Sequence, residues 1–257
     1  MTDPNNNGKG FLDFARNASE HNTTQLFTAL HVYNDLSSRS AAINMAMDEA
    51  LLETAQVPSI RFYRWGSPAL SFGYFGRFAD VAAYAGERDL VRRWTGGGIV
   101  FHGEDLTYSI VIPATDPLFR ESSQSIYAEV HRALRDVLVV GGENAQLASV
   151  AAVSDRRGPT DSAIRDRRYS ECFANPVNAD LMFNGRKIAG AAQRRSRRGL
   201  LQQGSIQHVD FGNGLAEQFS QALSRKCEAR EIGSELLART QKIVVHKYGT
   251  EAWLRRR

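Results

Sequence analysis

Three consecutive glycines, Gly96, Gly97 and Gly98, stand between two segments whose residues otherwise favour β-strands. Glycine costs backbone entropy and weakens a sheet, so a triplet here indicates that the backbone must approach something closely. Bare N–H groups in such a loop can face an acyl chain or a phosphate. A wide turn or bulge would also account for the triplet, but Arg93 and His102 on either side of it favour a binding site.

The order of the predicted elements indicates an α+β fold. Strand-like and helix-like runs are recognised by period-2 and period-3.6 spacing of apolar residues and by the turn residues between them. The predicted strands cover residues 30–33, 60–65, 70–74, a run ending at 93, 107–112, 181–183, 186–188 and 200–209, and the predicted helices begin at 42, 126, 215 and 235. Because βαβ units do not alternate regularly, we expect a mixed, largely antiparallel sheet with flanking helices.

Two local patterns are specific enough to place side chains. From Ala42 onward apolar residues recur at helical spacing, and Asp48 falls on the polar side of that predicted amphipathic helix. Asn184 and Gly185 separate two strand-like runs, and this dipeptide supplies the two positive-φ positions of a type I′ turn. We therefore expect a hairpin there, with Lys187 just beyond its turn.

The chain is predicted to contain a flexible lead, residues 1–28, followed by a single domain, residues 29–257. The lead is rich in Asn and charge and shows no hydrophobic segment of a secretory signal. No apolar run reaches the roughly 20 residues that cross a bilayer, so we expect a cytoplasmic protein without membrane association. Residues 155–168 are charged and hold a Gly-Pro pair, which predicts a loop.

Cys172 and Lys187 are the candidate catalytic pair. A thiolate is a nucleophile, and a neighbouring lysine can stabilise it, take the thiol proton or donate to an acyl carbonyl oxygen. Gly190 and Ala192 follow the lysine and leave room for a ligand against the strand. A lone cysteine is more often a small buried residue, and a lone lysine is more often on the surface. The catalytic interpretation of the pair therefore depends on the surrounding motifs.

The basic and metal-binding residue types point less clearly to a function. The net charge is +4, and the Arg194-Arg195-Ser196-Arg197-Arg198 run is either a solvated turn or a surface for nucleic acid or an acidic protein. The histidines and the two cysteines show no ligand spacing, so we predict no metal site. The sequence also lacks a phosphate-binding loop of the Walker A type.

Taken together, the motifs resemble the biotin/lipoate attachment superfamily, in its branch of lipoate–protein ligases and cysteine-dependent octanoyltransferases. The resemblance covers about residues 42–210 and rests on NMAMDEAL (44–51), FYRW (62–65), RRWTGGGIVFH (92–102), RKIAGAAQ (186–193) and QGSI (203–206). It implies a sheet-based domain like that of biotin protein ligases and class II synthetases. It also implies a tunnel for an acyl chain, with Lys187 at the acyl carbonyl and the lining residues Arg93, Thr95, Gly96, Gly97, Gly98, His102, Gly190, Ala192 and Gln193.

The resemblance implies an acyltransferase that needs no cofactor. An octanoyl group would pass from octanoyl-acyl carrier protein to Cys172, and then to a lysine of an apo lipoyl carrier domain, such as glycine cleavage H protein or a dehydrogenase E2. Cys172 stands shortly before the lysine motif, as in such transferases, whereas Gly98 completes a triplet typical of ligases.

Two alternatives stay open. One is an ATP-dependent lipoate–protein ligase that uses ATP and Mg²⁺ and forms a lipoyl-adenylate. The other is a non-catalytic module that binds RNA or protein through the arginine run. The choice between octanoyl and lipoyl groups, the carrier domain and the oligomeric state are not determined by the sequence.

Overall fold

Within the residues that the structure describes, the chain forms two β-sheets and five α-helices. The computed structural model describes residues 25–149, 176–209 and 214–256. In these ranges the strands are β1 (Leu30–Arg39), β2 (Ser59–Trp65), β3 (Ala69–Phe72), β4 (Asp89–Arg92), β5 (Ile99–His102), β6 (Leu106–Pro113), β7 (Ala145–Leu147), β8 (Leu181–Phe183), β9 (Arg186–Ser196), β10 (Gly199–Ile206) and β11 (Cys227–Ala229). The α-helices are α1 (Ala41–Thr54), α2 (Ser123–Val140), α3 (Leu215–Leu223), α4 (Ser234–Ile243) and α5 (Glu251–Leu254).

The large sheet has eight strands in the order β11-β1-β2-β6-β10-β9-β8-β7, and a small sheet has the order β4-β3-β5. In the large sheet β1 runs parallel to β2 and β11, whereas the pairs from β2 through β6, β10, β9 and β8 to β7 are antiparallel. This arrangement confirms the predicted α+β class with a mixed, largely antiparallel sheet.

One face of the large sheet is covered by α2 and α3, which form the larger hydrophobic core with it. Four buried residues of α2 recur every four positions, as the sequence predicts, and pack toward β6 and β10. They are Ile126, Val130, Leu134 and Leu138. Gly141 and Gly142 end the helix, as expected.

The opposite face of the large sheet carries α1, and here the sequence prediction for Asp48 is wrong. Asp48 is 0% exposed and faces the sheet, because it pairs with the equally buried Arg61 of β2. Arg61 lies 2.9 Å from Asp48 and 2.7 Å from Asp35 of β1. A buried guanidinium needs a compensating negative charge, and Asp48 of the helix supplies it from inside the protein.

The predicted hairpin is confirmed. β8 and β9 pair on either side of Asn184 and Gly185, whose φ angles are +48° and +76°. Lys187 is the second residue of β9, directly after the turn. The predicted second turn near residues 196–199 is also present, because β9 ends at Ser196 and β10 begins at Gly199.

Parts of the prediction lie outside the described residues. These parts are residues 1–24 of the lead and the loop at 155–168, so the division into a lead and one domain stays a prediction. At the start of the described chain Phe27 is already buried, and its N–H donates to the carbonyl of Leu223. Of the helices described, none combines the length and apolar character that would let it cross a bilayer.

We expect Asp48→Ala to destabilise the protein strongly, because it leaves the buried Arg61 charge only partly compensated. Removing one partner of a buried pair costs about 3–5 kcal/mol in the free energy of unfolding, which urea denaturation would measure. Glu251→Ala, which breaks an exposed pair with Arg255, is the matched control and should have little effect. Equal losses in the two variants would contradict the role given to Asp48.

Candidate functional site

A pocket lies on the α1 face of the large sheet, beside the small sheet. Its floor is one row of paired residues across four neighbouring strands, Tyr63, Thr107, Ser205 and Gly190. The pocket is partly open to solvent and is lined by Met45, Tyr63, Trp65, Ser71, Arg93, Val100, His102, Thr107, Gly190, Ala191, Ala192, Gln203, Gly204 and Ser205.

The glycine loop (Gly96, Gly97 and Gly98) forms one side of the pocket, and the neighbouring Arg93 holds it in place. Arg93 donates to the carbonyls of Gly96 (3.1 Å) and Gly98 (2.9 Å), so the loop folds around the guanidinium. Gly97 has φ +88°, a conformation that favours glycine, and a Cβ there would lie 3.4 Å from the Cβ of Ala192. The loop therefore closes onto β9 next to the pocket.

Thr95 connects this loop to the buried core. Its hydroxyl donates to Gln203 Oε1 over 2.8 Å, and Gln203 Nε2 donates to Asp48 over 2.7 Å. Asp48 also accepts from the side chains of Tyr63 and Ser109. The start of the glycine loop is thus fixed by the same carboxylate that neutralises the guanidinium under α1.

His102 is buried at the pocket wall in a defined orientation. Arg93 donates to Ser71 Oγ over 2.7 Å, so the Ser71 hydroxyl hydrogen is available to His102 Nε2 at 2.6 Å. His102 Nδ1 then donates to Asp105 over 2.8 Å, and Trp65 stacks on the ring at 4.0 Å. Burial lowers the pKa of His102 below its ordinary value, although the Asp105 charge opposes this. The ring is therefore neutral at neutral pH.

Asp105 stays ionised because its buried carboxylate is well supplied with donors. Burial alone would raise its pKa, but His102 and the hydroxyl of Ser205 lower it below the ordinary value. Thr107 and the backbone N–H of Gly103 donate to the same carboxylate. A carboxylate that accepts several hydrogen bonds favours its charged form.

Lys187 is 3% exposed and lies against the pocket wall. Its Nζ is 2.8 Å from Asp180, so a buried carboxylate compensates its charge. A Cβ on Gly190 would lie 2.3 Å from Lys187 Cε, so a side chain at this position would displace the lysine amine from where it now lies. The lysine amine and the pocket are therefore separated by one residue without a side chain.

Asp180 is itself held by α2. Tyr127 donates from its hydroxyl to Asp180 and accepts from the N–H of Ala191 over 3.1 Å. The N–H of Val177 also donates to Asp180, over 2.6 Å. Burial, followed by the Asp180 charge, raises the pKa of Tyr127, so its hydroxyl keeps its proton and remains a donor. These contacts fix the carboxylate that orients Lys187.

The structure places the predicted site residues as follows. Arg93, His102, Gly190 and Ala192 line the pocket. Thr95, Gly96, Gly97 and Gly98 form the loop beside it. Lys187 lies behind Gly190. Cys172 lies outside the described residues, so its distance from Lys187 stays a prediction.

Gln193 lies on the other face of the sheet, where it donates to Gln202 over 2.7 Å. Alternation along β9 already places Gln193 on the face opposite Gly190 and Ala192. A bulge nearer the start of β9 affects Lys187 instead, since Leu181 pairs with Ala189 whereas Met182 pairs with Lys187. The extra residue shifts the alternation, so Lys187 shares its face with Gly190 and Ala192 rather than with Gln193. We therefore leave Gln193 out of the proposed site.

Sequence reasoning missed several residues that complete the site. The residues Met45, Tyr63, Trp65, Ser71, Gln203 and Ser205 line the pocket, and Asp105, Tyr127 and Asp180 orient its polar groups. The only usable signal was Gln203 and Ser205, two polar residues with strand spacing in the predicted strand at 200–209. In the described part of the chain, no group of three His, Cys, Asp or Glu residues is placed to hold a metal ion.

The arginines of the 194–198 run, for which a solvated turn and a binding surface were both open, make different contacts. Arg195 points to the turn before α2 and donates to the carbonyls of Phe119 and Glu121. Arg198 pairs with Glu53 of α1. These two arginines therefore hold parts of the fold together, whereas Arg194 lies near the pocket.

The sequence is similar to curated octanoyltransferases. It is 38% identical to octanoyltransferase LipM of Macrococcus caseolyticus over 176 residues, which are 65% of this chain and 62% of that protein. It is 35% identical to octanoyltransferase LipM of Staphylococcus epidermidis over 193 residues (72% and 68%). It is also 35% identical to the LipM of Bacillus subtilis over 180 residues (67% and 63%). The chain thus spans less than two thirds of the Macrococcus and Bacillus relatives.

Solved structures with a similar fold are lipoate–protein ligases. A lipoate-protein ligase A bound with ATP superposes with a TM-score of 0.63 at 22% identity, covering 89% of this chain and 98% of that one. The bipartite ligase of Thermoplasma acidophilum gives 0.61 at 20% identity (89% and 96%). At these identities the similarity concerns the fold alone.

The sequence profile described as the lipoyl protein ligase A/B catalytic domain matches residues 40–240, which contain the pocket, the glycine loop and Lys187. The chain therefore belongs to the lipoyl protein ligase A/B catalytic domain family.

Proposed function

We propose that this protein is an octanoyltransferase that moves an octanoyl group from octanoyl-acyl carrier protein to a lysine of a lipoyl carrier domain. The observation that carries the proposal is Lys187, a buried ammonium held by Asp180 behind a pocket wall that lacks a side chain at Gly190. Its relatives at 35–38% identity are octanoyltransferases, and this favours the transferase over the ligase.

The pocket suits a thin apolar chain with a polar head. Its wall on β9 carries no side chain larger than a methyl group, because it consists of Gly190, Ala191 and Ala192. Val100, Met45 and Trp65 add apolar surface around the same space. An acyl chain in this space gains free energy from leaving water, and its carbonyl oxygen would lie toward Lys187.

In the first step the Cys172 thiolate attacks the carbonyl carbon of the donor thioester. The new bond joins Cys172 Sγ to the octanoyl carbon, and the bond to the donor sulfur breaks. The departing thiolate takes up a proton from solvent, which balances the proton that Cys172 released when it formed its thiolate. Lys187 donates to the carbonyl oxygen while it carries negative charge. The ion pair with Asp180 favours the charged form of Lys187, which can donate a hydrogen bond. It therefore supports this donor role over a role as the base that takes the thiol proton.

In the second step the neutral ε-amine of the carrier lysine attacks the octanoyl–Cys172 thioester. An amide bond forms, the carbon–sulfur bond breaks, and the amine proton passes to the released Cys172 sulfur. Lys187 again donates to the carbonyl oxygen. The same oxyanion donor therefore serves both steps, and the reaction needs no cofactor, because the donor thioester is already activated.

The competing function is ATP-dependent ligation, in which an acyl-adenylate replaces the thioester on Cys172. The acceptor would be the same kind of domain, and either glycine cleavage H protein or a dehydrogenase E2 would serve as the carrier in an assay. Lipoate-dependent exchange of ATP and pyrophosphate would occur only in a ligase, so it separates the two functions.

We expect the protein to gain the mass of one octanoyl group when it is mixed with octanoyl-acyl carrier protein. Cys172→Ser should abolish this adduct, because its hydroxyl is a far weaker nucleophile than a thiolate. Cys227, a cysteine on the exposed edge strand β11, offers the matched control Cys227→Ser, which should retain the adduct. Intact-mass spectrometry gives the answer, and an adduct that persists in Cys172→Ser would refute the covalent mechanism.

We expect Lys187→Met to lower the rate of octanoyl transfer about 10²- to 10³-fold, because one donor to the carbonyl oxygen is lost. Lys242→Met, on the exposed side of α4, should keep the wild-type rate.

Lys187→Met also leaves the Asp180 carboxylate buried without its cation, which lowers stability. The double variant Lys187→Met/Asp180→Asn removes that charge and should recover folding, measured by thermal melting, without recovering activity. If the double variant regains the wild-type rate, Lys187 is a structural residue only.

A further inference from the structure

Arg194 leaves β9 on the face that carries the pocket. Side chains alternate along a strand, so Arg194 follows Gly190 and Ala192 on the same face. It pairs in register with Leu201 of β10. This pair lies two residues along the strands from the pair formed by Ala192 and Gln203. The arginine therefore lies in line with the pocket wall, on the far side of the glycine loop from Lys187.

Two aromatic rings next to the glycine loop hold the Arg194 guanidinium. Its carbon lies 5.0 Å from the ring centre of Tyr74 and 5.1 Å from that of Trp94, both within cation–π range. Trp94 directly precedes Thr95, and the N–H of Tyr74 donates to the carbonyl of Thr95. The cation is thus positioned by the residues that lead into the loop.

Arg194 has no carboxylate partner among the residues that the structure describes. Its Nε is buried and makes no hydrogen bond there. The nearby Lys247, 4.4 Å from the centre of Trp94, differs, because Glu49 lies 2.5 Å from its ammonium. A buried donor without an acceptor is rare in native proteins and calls for an explanation such as a missing ligand.

A second guanidinium shares the same ring. Arg256 is an exposed side chain that lies 4.3 Å from the ring centre of Tyr74, and within residues 25–149, 176–209 and 214–256 it forms no ion pair. Its position is fixed through the backbone, because the Arg256 carbonyl accepts from Arg92 over 2.7 Å. Two like charges at one ring repel each other, and an anion bound between them would compensate this repulsion.

We propose that Arg194 and Arg256 bind the phosphate of the phosphopantetheine arm that carries the acyl group into the pocket. The proposal rests on the proposed transferase function, since acyl carrier protein presents its acyl group on such an arm. Guanidinium groups match phosphate oxygens in charge and in hydrogen-bond geometry. The site lies beside the glycine loop, where the arm would pass as the acyl chain enters.

The test measures binding, so that it does not depend on turnover. Two donor analogues would be used in which an amide replaces the thioester: octanoyl-pantetheine without a phosphate and its 4′-phosphorylated form. Calorimetry on the full chain should show that the phosphorylated analogue binds about 10- to 100-fold more tightly, the effect of a hydrogen-bonded charge. Arg194→Met should remove most of this preference and leave the affinity for the unphosphorylated analogue within about twofold.

Arg225→Met is the matched control, because Arg225 is an exposed arginine beside β11, which lies at the edge of the large sheet. It removes the same charge and should keep the full preference. Circular dichroism of each variant checks that the fold is intact. Arg256→Met should lower the preference in the same direction as Arg194→Met.

Three results would overturn the proposal. The wild type could bind both analogues equally, or Arg194→Met could weaken both equally, which would indicate a structural role. Arg194→Met could also weaken ATP binding and leave the preference between the analogues unchanged, which would assign the site to a nucleotide. A phosphate preference in a protein that fails to form the octanoyl adduct would leave this inference standing while refuting the transferase.

Discussion

The buried guanidinium of Arg61 is the interaction on which the rest of this structure depends. It is 0% exposed, so it must be neutralised inside the protein, and Asp35 and Asp48 supply the charge. Asp48 then accepts from Gln203, which in turn accepts from Thr95 at the start of the glycine loop. One charge-compensation requirement therefore fixes α1, the large sheet and the glycine loop relative to one another.

The pocket follows the same principle, because each of its two key polar groups is oriented by a buried carboxylate. Asp105 sets the orientation of His102 on the small-sheet side, and Asp180 sets that of Lys187 on β9. Buried networks of this kind favour one arrangement, since every alternative leaves a polar group unsatisfied. Small residues on β9 leave the space between His102 and Lys187 open. A flexible chain could therefore enter without moving the polar atoms around it.

The sequence allowed the prediction of elements that depend on neighbouring residues. The Asn184-Gly185 hairpin and the four-residue spacing in α2 are confirmed, and the hairpin places Lys187 correctly on its strand. The glycine triplet next to Arg93 was also an informative signal. These three features depend on backbone sterics or on helical periodicity, and both are determined within a single segment of the chain.

What the sequence did not reveal depends on contacts between distant segments. Asp48 was assigned to the polar side of its helix, because the helical pattern cannot show that Arg61 lies opposite it. Gln193 was expected at the pocket, but it alternates with Gly190 and Ala192 along β9, and the bulge brings Lys187 rather than Gln193 to the pocket face. The roles of Asp105, Asp180 and Tyr127 arise from tertiary packing, and no local pattern marks them.

We propose that the framework of buried charges holds a pocket in which an acyl carbonyl meets Lys187. The most direct measurement is a crystal structure with a non-hydrolysable octanoyl amide bound. We expect the chain between the glycine loop and Ala192, and its carbonyl oxygen about 3 Å from Lys187 Nζ. A chain bound elsewhere, or a carbonyl oxygen beyond hydrogen-bond reach of Lys187, would contradict the account.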